Sequence, residues 1–140
     1  MPRQVNHENF TLIYDEARAV FELRFTGDLN FQIWLEANAA LQELDGGRAL
    51  ATARFIVSDF TDAALTQFTS ADIMQKSKVL LSQQMALNPS ITVILITPND
   101  LEFGLMRMLQ GSVESISTWQ SHVVRTRKEQ EDLLRRLTGL

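Results

Sequence analysis

Residues 91–97, ITVILIT, set the tightest limit on what this chain can fold into. Apolar residues follow one another there instead of alternating with polar ones, which marks a strand buried on both faces. A second, shorter run, RFIVSDF at residues 54–60, reads the same way and ends in polar residues. Strands of this kind need helices packed over them, so the expectation is an α/β sheet.

The remaining segments supply those helices. FTLIYDEARAVFELRFTG at residues 10–27 reads as two strands joined by the polar DEAR, with Phe21, Leu23 and Phe25 on one face and Val20, Glu22, Arg24 and Thr26 on the other. A helix follows in which Asn30 is the expected N-cap, Ile33, Ala37, Ala40, Leu41 and Leu44 share a face, and Gly46-Gly47 stops the coil. TDAALTQFT at residues 61–69 reads as the longest irregular piece. Thr69 and Asp72 have capping-box spacing for a second helix, which runs to about Leu87 and is ended by Asn88-Pro89. A third helix is expected over about residues 100–110, a strand at HVVRT, and a last helix capped by Thr126 with Glu129 and carrying Leu133, Leu134 and Leu137. The order predicts one domain over residues 1–140, with its core at about 10–138 and mobile N-terminal residues. It has a five-stranded mixed sheet, an opening hairpin followed by right-handed helical crossovers, and four helices.

Composition narrows the class. A chain of 140 residues with 45% hydrophobic and 21% charged residues has enough apolar material for a packed core without metals or disulfides. Cysteine is absent, which removes thiolate chemistry and Cys-ligated metals. The first ten residues lack the apolar stretch of a signal peptide, and no run reaches the length of a membrane span, so the expected compartment is the cytoplasm. The net charge of −4 argues against a nucleic-acid partner. The basic residues after residue 124 are interleaved with acids, as on a solvated helix face.

The opening hairpin, RFIVSDF with its following loop, ITVILITPNDLEFGLMRM and the closing VVRTRKEQEDLL together resemble the SpoIIAA-like family, relatives of the STAS domains that act as anti-sigma-factor antagonists. The Phe-Gly-x-x-Arg-Met run formed by Phe103, Gly104, Arg107 and Met108 is similar to one often met in bacterial proteins of that group. The resemblance implies a compact mixed sheet with helices wound along it and no cofactor. It also implies work through protein partners or, as in the related CRAL-TRIO group, the holding of a lipid. Anti-sigma antagonists are phosphorylated in an Asp-Ser-Ser-Gly type turn. The corresponding SDFTDAALTQFTSADIM has no Ser-Gly, and Thr69 and Ser70 are the residues nearest that position. Phosphate there would meet the positive end of a helix dipole, whereas a plain capping role is the simpler reading.

Candidate sites are few. Gly104 lies inside a helix, where glycine costs about 1 kcal/mol relative to alanine, so a close approach of helix and strand is the expected reason for it. Asn99 and Glu102 are expected to cap that helix, and with Asp100 they disfavour an anion there. Asp59 and Asp62 form the best carboxylate pair, at the carboxyl end of a buried strand, where open α/β sheets place ligands. Arg107 is expected to pair with one of them, to snorkel, or to read an acidic ligand. Met74, Met85, Met106 and Met108 suggest either plain core or an adaptable apolar pocket. Trp34 and Trp119 are the aromatic residues expected at an exposed contact. His7 and His122 have no second histidine at metal spacing, and no nucleophile elbow, Walker loop or dinucleotide fingerprint occurs. The chain therefore reads as a non-enzymatic binding or regulatory module working through a protein partner or as a homodimer. A carrier of a small apolar or lipid-like ligand is the alternative.

Overall fold

In the computed structural model, which describes residues 3–65, 67, 71, 77–114 and 118–139, six strands form one sheet in sequence order. They are β1 (Arg3–Asn6), β2 (Phe10–Asp15), β3 (Val20–Asp28), β4 (Phe55–Ala64), β5 (Thr92–Ile96) and β6 (Gln120–Val124). β1, β2 and β3 pair antiparallel, and β3 through β6 pair parallel. The helices are α1 (Phe31–Glu43), the five-residue α2 (Arg48–Thr52), α3 (Ser77–Leu87), α4 (Asp100–Glu114) and α5 (Arg127–Thr138). The mixed α/β sheet and its four long helices match the sequence reading, but the sheet has six strands and not five.

The extra strand lies in the N-terminal residues expected to be mobile. Only Val5 of RQVN is apolar, so no pattern announces it; its ladder comes from β2, with Val5 opposite Leu12. His7 then stacks on Phe10 with ring centroids 4.4 Å apart, and its Nε2 lies 3.2 Å from Glu36 on α1. β4 is also longer than its apolar run. It continues through Thr61 to Ala64, residues read from sequence as irregular, because Thr26, Gly27 and Asp28 of β3 go on pairing with it.

Alternation inside the apolar runs sorts them into two cores. Phe21, Leu23, Phe25, Ile56, Phe60 and Leu95 face one way and pack under Trp34, Ala37 and Leu41 of α1, Leu50 of α2, Leu81 of α3 and Met106 of α4. Val20, Phe55, Val57, Ile94 and Ile96 face the other way and pack under Leu133 and Leu134 of α5. Trp34 and Trp119 are both buried in the larger core, which corrects their expected exposure. Trp119 donates from Nε1 to the carbonyl of Asn88 at 2.6 Å.

Asn88 ties the elements together. Its Nδ2 donates to the carbonyls of Leu50 at 2.8 Å and Ala53 at 2.9 Å at the end of the short α2, where Leu50 otherwise receives only the Ala53 N–H at 3.3 Å. Its Oδ1 accepts from Ser90 N–H at 3.0 Å, which turns the chain through Pro89 into β5. The buried side-chain amide thus fixes the end of α2, the exit of α3 and the entry to β5, and the main-chain carbonyl of the same residue, through Trp119, fixes the entry to β6. A second buried amide pair, Gln84 Nε2 to Asn38 Oδ1 at 3.2 Å, fixes α3 against α1.

Gly104 is not at a close approach. It is exposed on α4, and a Cβ there would meet nothing within 4 Å. Replacing Gly104 with alanine is therefore expected to raise the unfolding free energy by about 0.5–1 kcal/mol, read from urea melts. In the same assay Asn88→Ala is expected to cost about 2–4 kcal/mol, because the carbonyl of Ala53 loses the buried amide that donates to it and that of Leu50 keeps only the longer bond from Ala53 N–H.

Candidate functional site

The carboxyl ends of the parallel strands gather the polar side chains that the sequence marks as candidates. Between Arg24↔Asp59 and Thr26↔Asp62 the register slips, so β4 carries a bulge of one extra residue opposite β3. In a regular strand residues 59 and 62 would point to opposite faces. The added residue brings both aspartates to the same side. Asp59 shapes the bulge itself, accepting at Oδ1 from the N–H of Thr61 at 2.9 Å and from its hydroxyl at 2.5 Å. Phe25 and Phe60 stack across it at 4.9 Å with nearly parallel rings.

The cation that meets these carboxylates is Arg127, not Arg107. Arg127 is the first residue of α5, after the N-cap Thr126, and donates from Nε to Asp59 Oδ2 at 2.6 Å and from a terminal nitrogen to Asp62 Oδ2 at 3.0 Å. Arg107 is exposed on α4, two turns past the first residue of that helix. The Asp59 side chain is only 1% exposed. Burial by itself pushes its carboxyl pKa up, but the Thr61 hydroxyl, the Arg127 guanidinium and the Thr61 N–H together outweigh burial and hold it below the ordinary carboxylate value. The same contacts raise Arg127. Both partners are mutually satisfied, so the pair functions as a clamp between β4 and α5.

A second tie lies on the other face. Asn99 caps α4 by accepting from Glu102 N–H at 3.3 Å, but the Glu102 carboxylate, expected to complete the capping box, instead accepts from Leu65 N–H at 2.8 Å. It holds the segment leaving β4 against the start of α4. At α5 the expected box is likewise displaced: Thr126 Oγ1 accepts from Glu129 N–H at 3.1 Å, while Glu129 accepts from Arg125 N–H at 3.0 Å.

The other candidates scatter. Met106 is buried in the larger core and Met108 is exposed, so the helix turn separates them instead of lining one pocket. Met74, Thr69, Ser70 and Asp72, and with them the proposed phosphorylation turn and its capping box, lie outside the described residues. His122 sits within β6; its Nε2 and Thr97 Oγ1 are buried polar atoms without a hydrogen-bond partner among the described residues. Also among the described residues, no three His, Asp or Glu side chains converge as metal ligands, and no helix is long and apolar enough to cross a membrane.

Sequence reading missed the apolar surface. A groove of about 660 Å³ opens between α1 and α3, lined by Phe31, Gln32, Leu35, Val79, Leu80 and Gln83. Val79 is 63% exposed and Leu87, two turns on, is 53% exposed. The signal available in the sequence was charge: residues 79–99 contain no ionisable side chain. No family model, curated protein or solved structure matches the chain.

The clamp has a pH signature. Because the Asp59 pKa is lowered on folding, its contribution to stability is complete above the ordinary value of 3.8 and is lost as pH falls through that value and below it. The stability gap between the native chain and Asp59→Asn, measured by denaturant unfolding, should therefore be largest at neutral pH and close as pH drops below 3.8. Arg127→Met is expected to cost about 1–2 kcal/mol at neutral pH, a figure reduced by the solvent that screens the half-exposed guanidinium.

Proposed function

We propose that this chain is a non-enzymatic, cytoplasmic binding module of the SpoIIAA-like, STAS-related kind, regulating through contact with another protein. The observation that carries the reading is the open apolar groove between α1 and α3, with Val79 and Leu87 standing out beside it. Large apolar side chains clustered on one exposed helix surface mark an interaction site more often than they occur by chance on a monomer. The polar cluster offers less to a substrate, because Asp59 and Arg127 are each engaged by partners within the chain. A sheet that begins with antiparallel strands and continues through helical crossovers agrees with the architecture that the resemblance implies.

The groove also supports the second reading, a carrier of a small apolar or lipid-like ligand. Its volume of about 660 Å³ lies within the range of small-molecule sites. Its openness favours a protein partner, since ligand sites enclose most of the molecule they hold.

Native mass spectrometry of protein purified gently from its host, repeated after denaturation, separates the two. Retained polypeptide mass that Val79→Glu abolishes is the expected result. A monomer carrying a few hundred daltons that vanish on denaturation would replace the binding module with a carrier.

A further inference from the structure

We infer that the outward face of α3 is a self-association surface, on which a second copy of this chain docks antiparallel about a two-fold axis passing near Gln83. The inference rests on the reading of the chain as a protein-binding module and names its partner. The side chains that α3 turns outward are Val79, Ser82, Gln83, Ala86 and Leu87, none of them charged. Lys78, half-buried in the first turn, is the one ionisable residue of α3, whereas every other long helix fully exposes several: Glu36 and Glu43 on α1, Asp100 and Arg107 on α4, and Lys128, Asp132, Arg135 and Arg136 on α5. Depletion of charge at the centre of a contact, together with apolar side chains, is the compositional mark of a protein interface.

Charge also argues for the occupant. In a two-fold contact the side chains near the axis meet their own copies, so a face suited to a second copy of a chain with net charge −4 carries no charge at its centre. The α3 face meets that condition. Its stripe is moreover nearly symmetric under reversal. Val79, Gln83 and Leu87 are spaced four residues apart and so lie along one side of the helix. Reversing the helix about Gln83 exchanges Val79 with Leu87 and returns Gln83 to itself, as a two-fold contact requires. Leu87 of the second copy would then lie against Val79 and the adjoining groove floor of Phe31 and Leu35. The two Gln83 amides would meet on the axis, each able to donate to and accept from the other. Buried beneath this face, Gln84 bonds to Asn38, which holds α3 at a fixed rotation relative to α1 and keeps the stripe outward.

The absence of native cysteine makes the test direct. Gln83→Cys under mild oxidation is expected to form a disulfide-linked dimer, because the residue faces its own copy, whereas Arg135→Cys on α5 is not. Light scattering over a concentration series should show a dimer for the native chain. Gln83→Lys, which apposes two like charges on the axis, should weaken it about a hundredfold or more. Gln83 is exposed, so the fold is expected to survive the change, and circular dichroism of each variant checks that. A native chain that stays monomeric at about 100 μM, two orders of magnitude above a micromolar dissociation constant, overturns the proposal. So does a dimer that Gln83→Lys leaves intact. Retention of a different protein by a monomeric chain would overturn self-association while keeping the binding-module reading.

Discussion

The structure depends on one constraint: β4 and β5 are apolar on both faces, so neither face can be left to water. The crossover helices between parallel strands cover one face only, because successive right-handed crossovers in a sheet that grows in one direction fall on the same side. The second face is closed by α5, the last element, which places Leu133 and Leu134 over Val57, Ile94 and Ile96. Without α5 that row would be exposed, and without the Asn88 side chain the sheet would lose the buried amide that ties the entry of β5 to α2, while the carbonyl of residue 88 holds Trp119 at the start of β6. Long-range closure of this kind joins residues more than thirty positions apart, which the chain brings together only once the sheet exists.

The clamp at the opposite edge of the sheet serves the same constraint. α5 is held over β4 by Leu133 and Leu134 near one end and by Arg127 at the other, where the guanidinium reaches both aspartates. The bulge in β4 makes that reach possible by turning Asp62 to the side of Asp59. Placing carboxylates against the first turn of a helix adds a favourable interaction with its dipole. Here the strand-end polar residues that ordinarily invite a ligand are consumed in holding the second layer, while the opposite layer includes a helix, α3, whose fully exposed side chains carry no charge. α5 is thus charged and paired with the strand ends, while α3, between the charged outer surfaces of α1 and α4, presents uncharged side chains.

Much of this architecture is legible in the sequence. The strands β2 to β6, the four long helices, the caps Asn30 and Thr126 and the stop at Gly46-Gly47 all follow from periodicity and local hydrogen bonding, which act over a few residues. What was misread has a common physical cause. β1 exists because β2 offers it a ladder, the last residues of β4 because β3 does, and neither carries an apolar pattern of its own. Arg107 lies midway along α4 and Arg127 opens α5, and only the crossing of α5 over β4, 68 positions from Asp59, selects the second. The burial of Trp34 and Trp119 likewise follows from which side of the sheet α1 covers and where β6 begins.

By itself the sequence determined the class of sheet, the alternation of strand and helix, and the demand for two covering layers, because these are set by hydrophobic pattern and backbone preference along the chain. Only the tertiary structure decided which carboxylate meets which cation, that Gly104 is free of contacts, and which helix turns an uncharged face outward. Those outcomes depend on the register and the bulge that fix side-chain direction across the sheet. A shift of one residue at β4 would exchange every one of its side chains between the two cores.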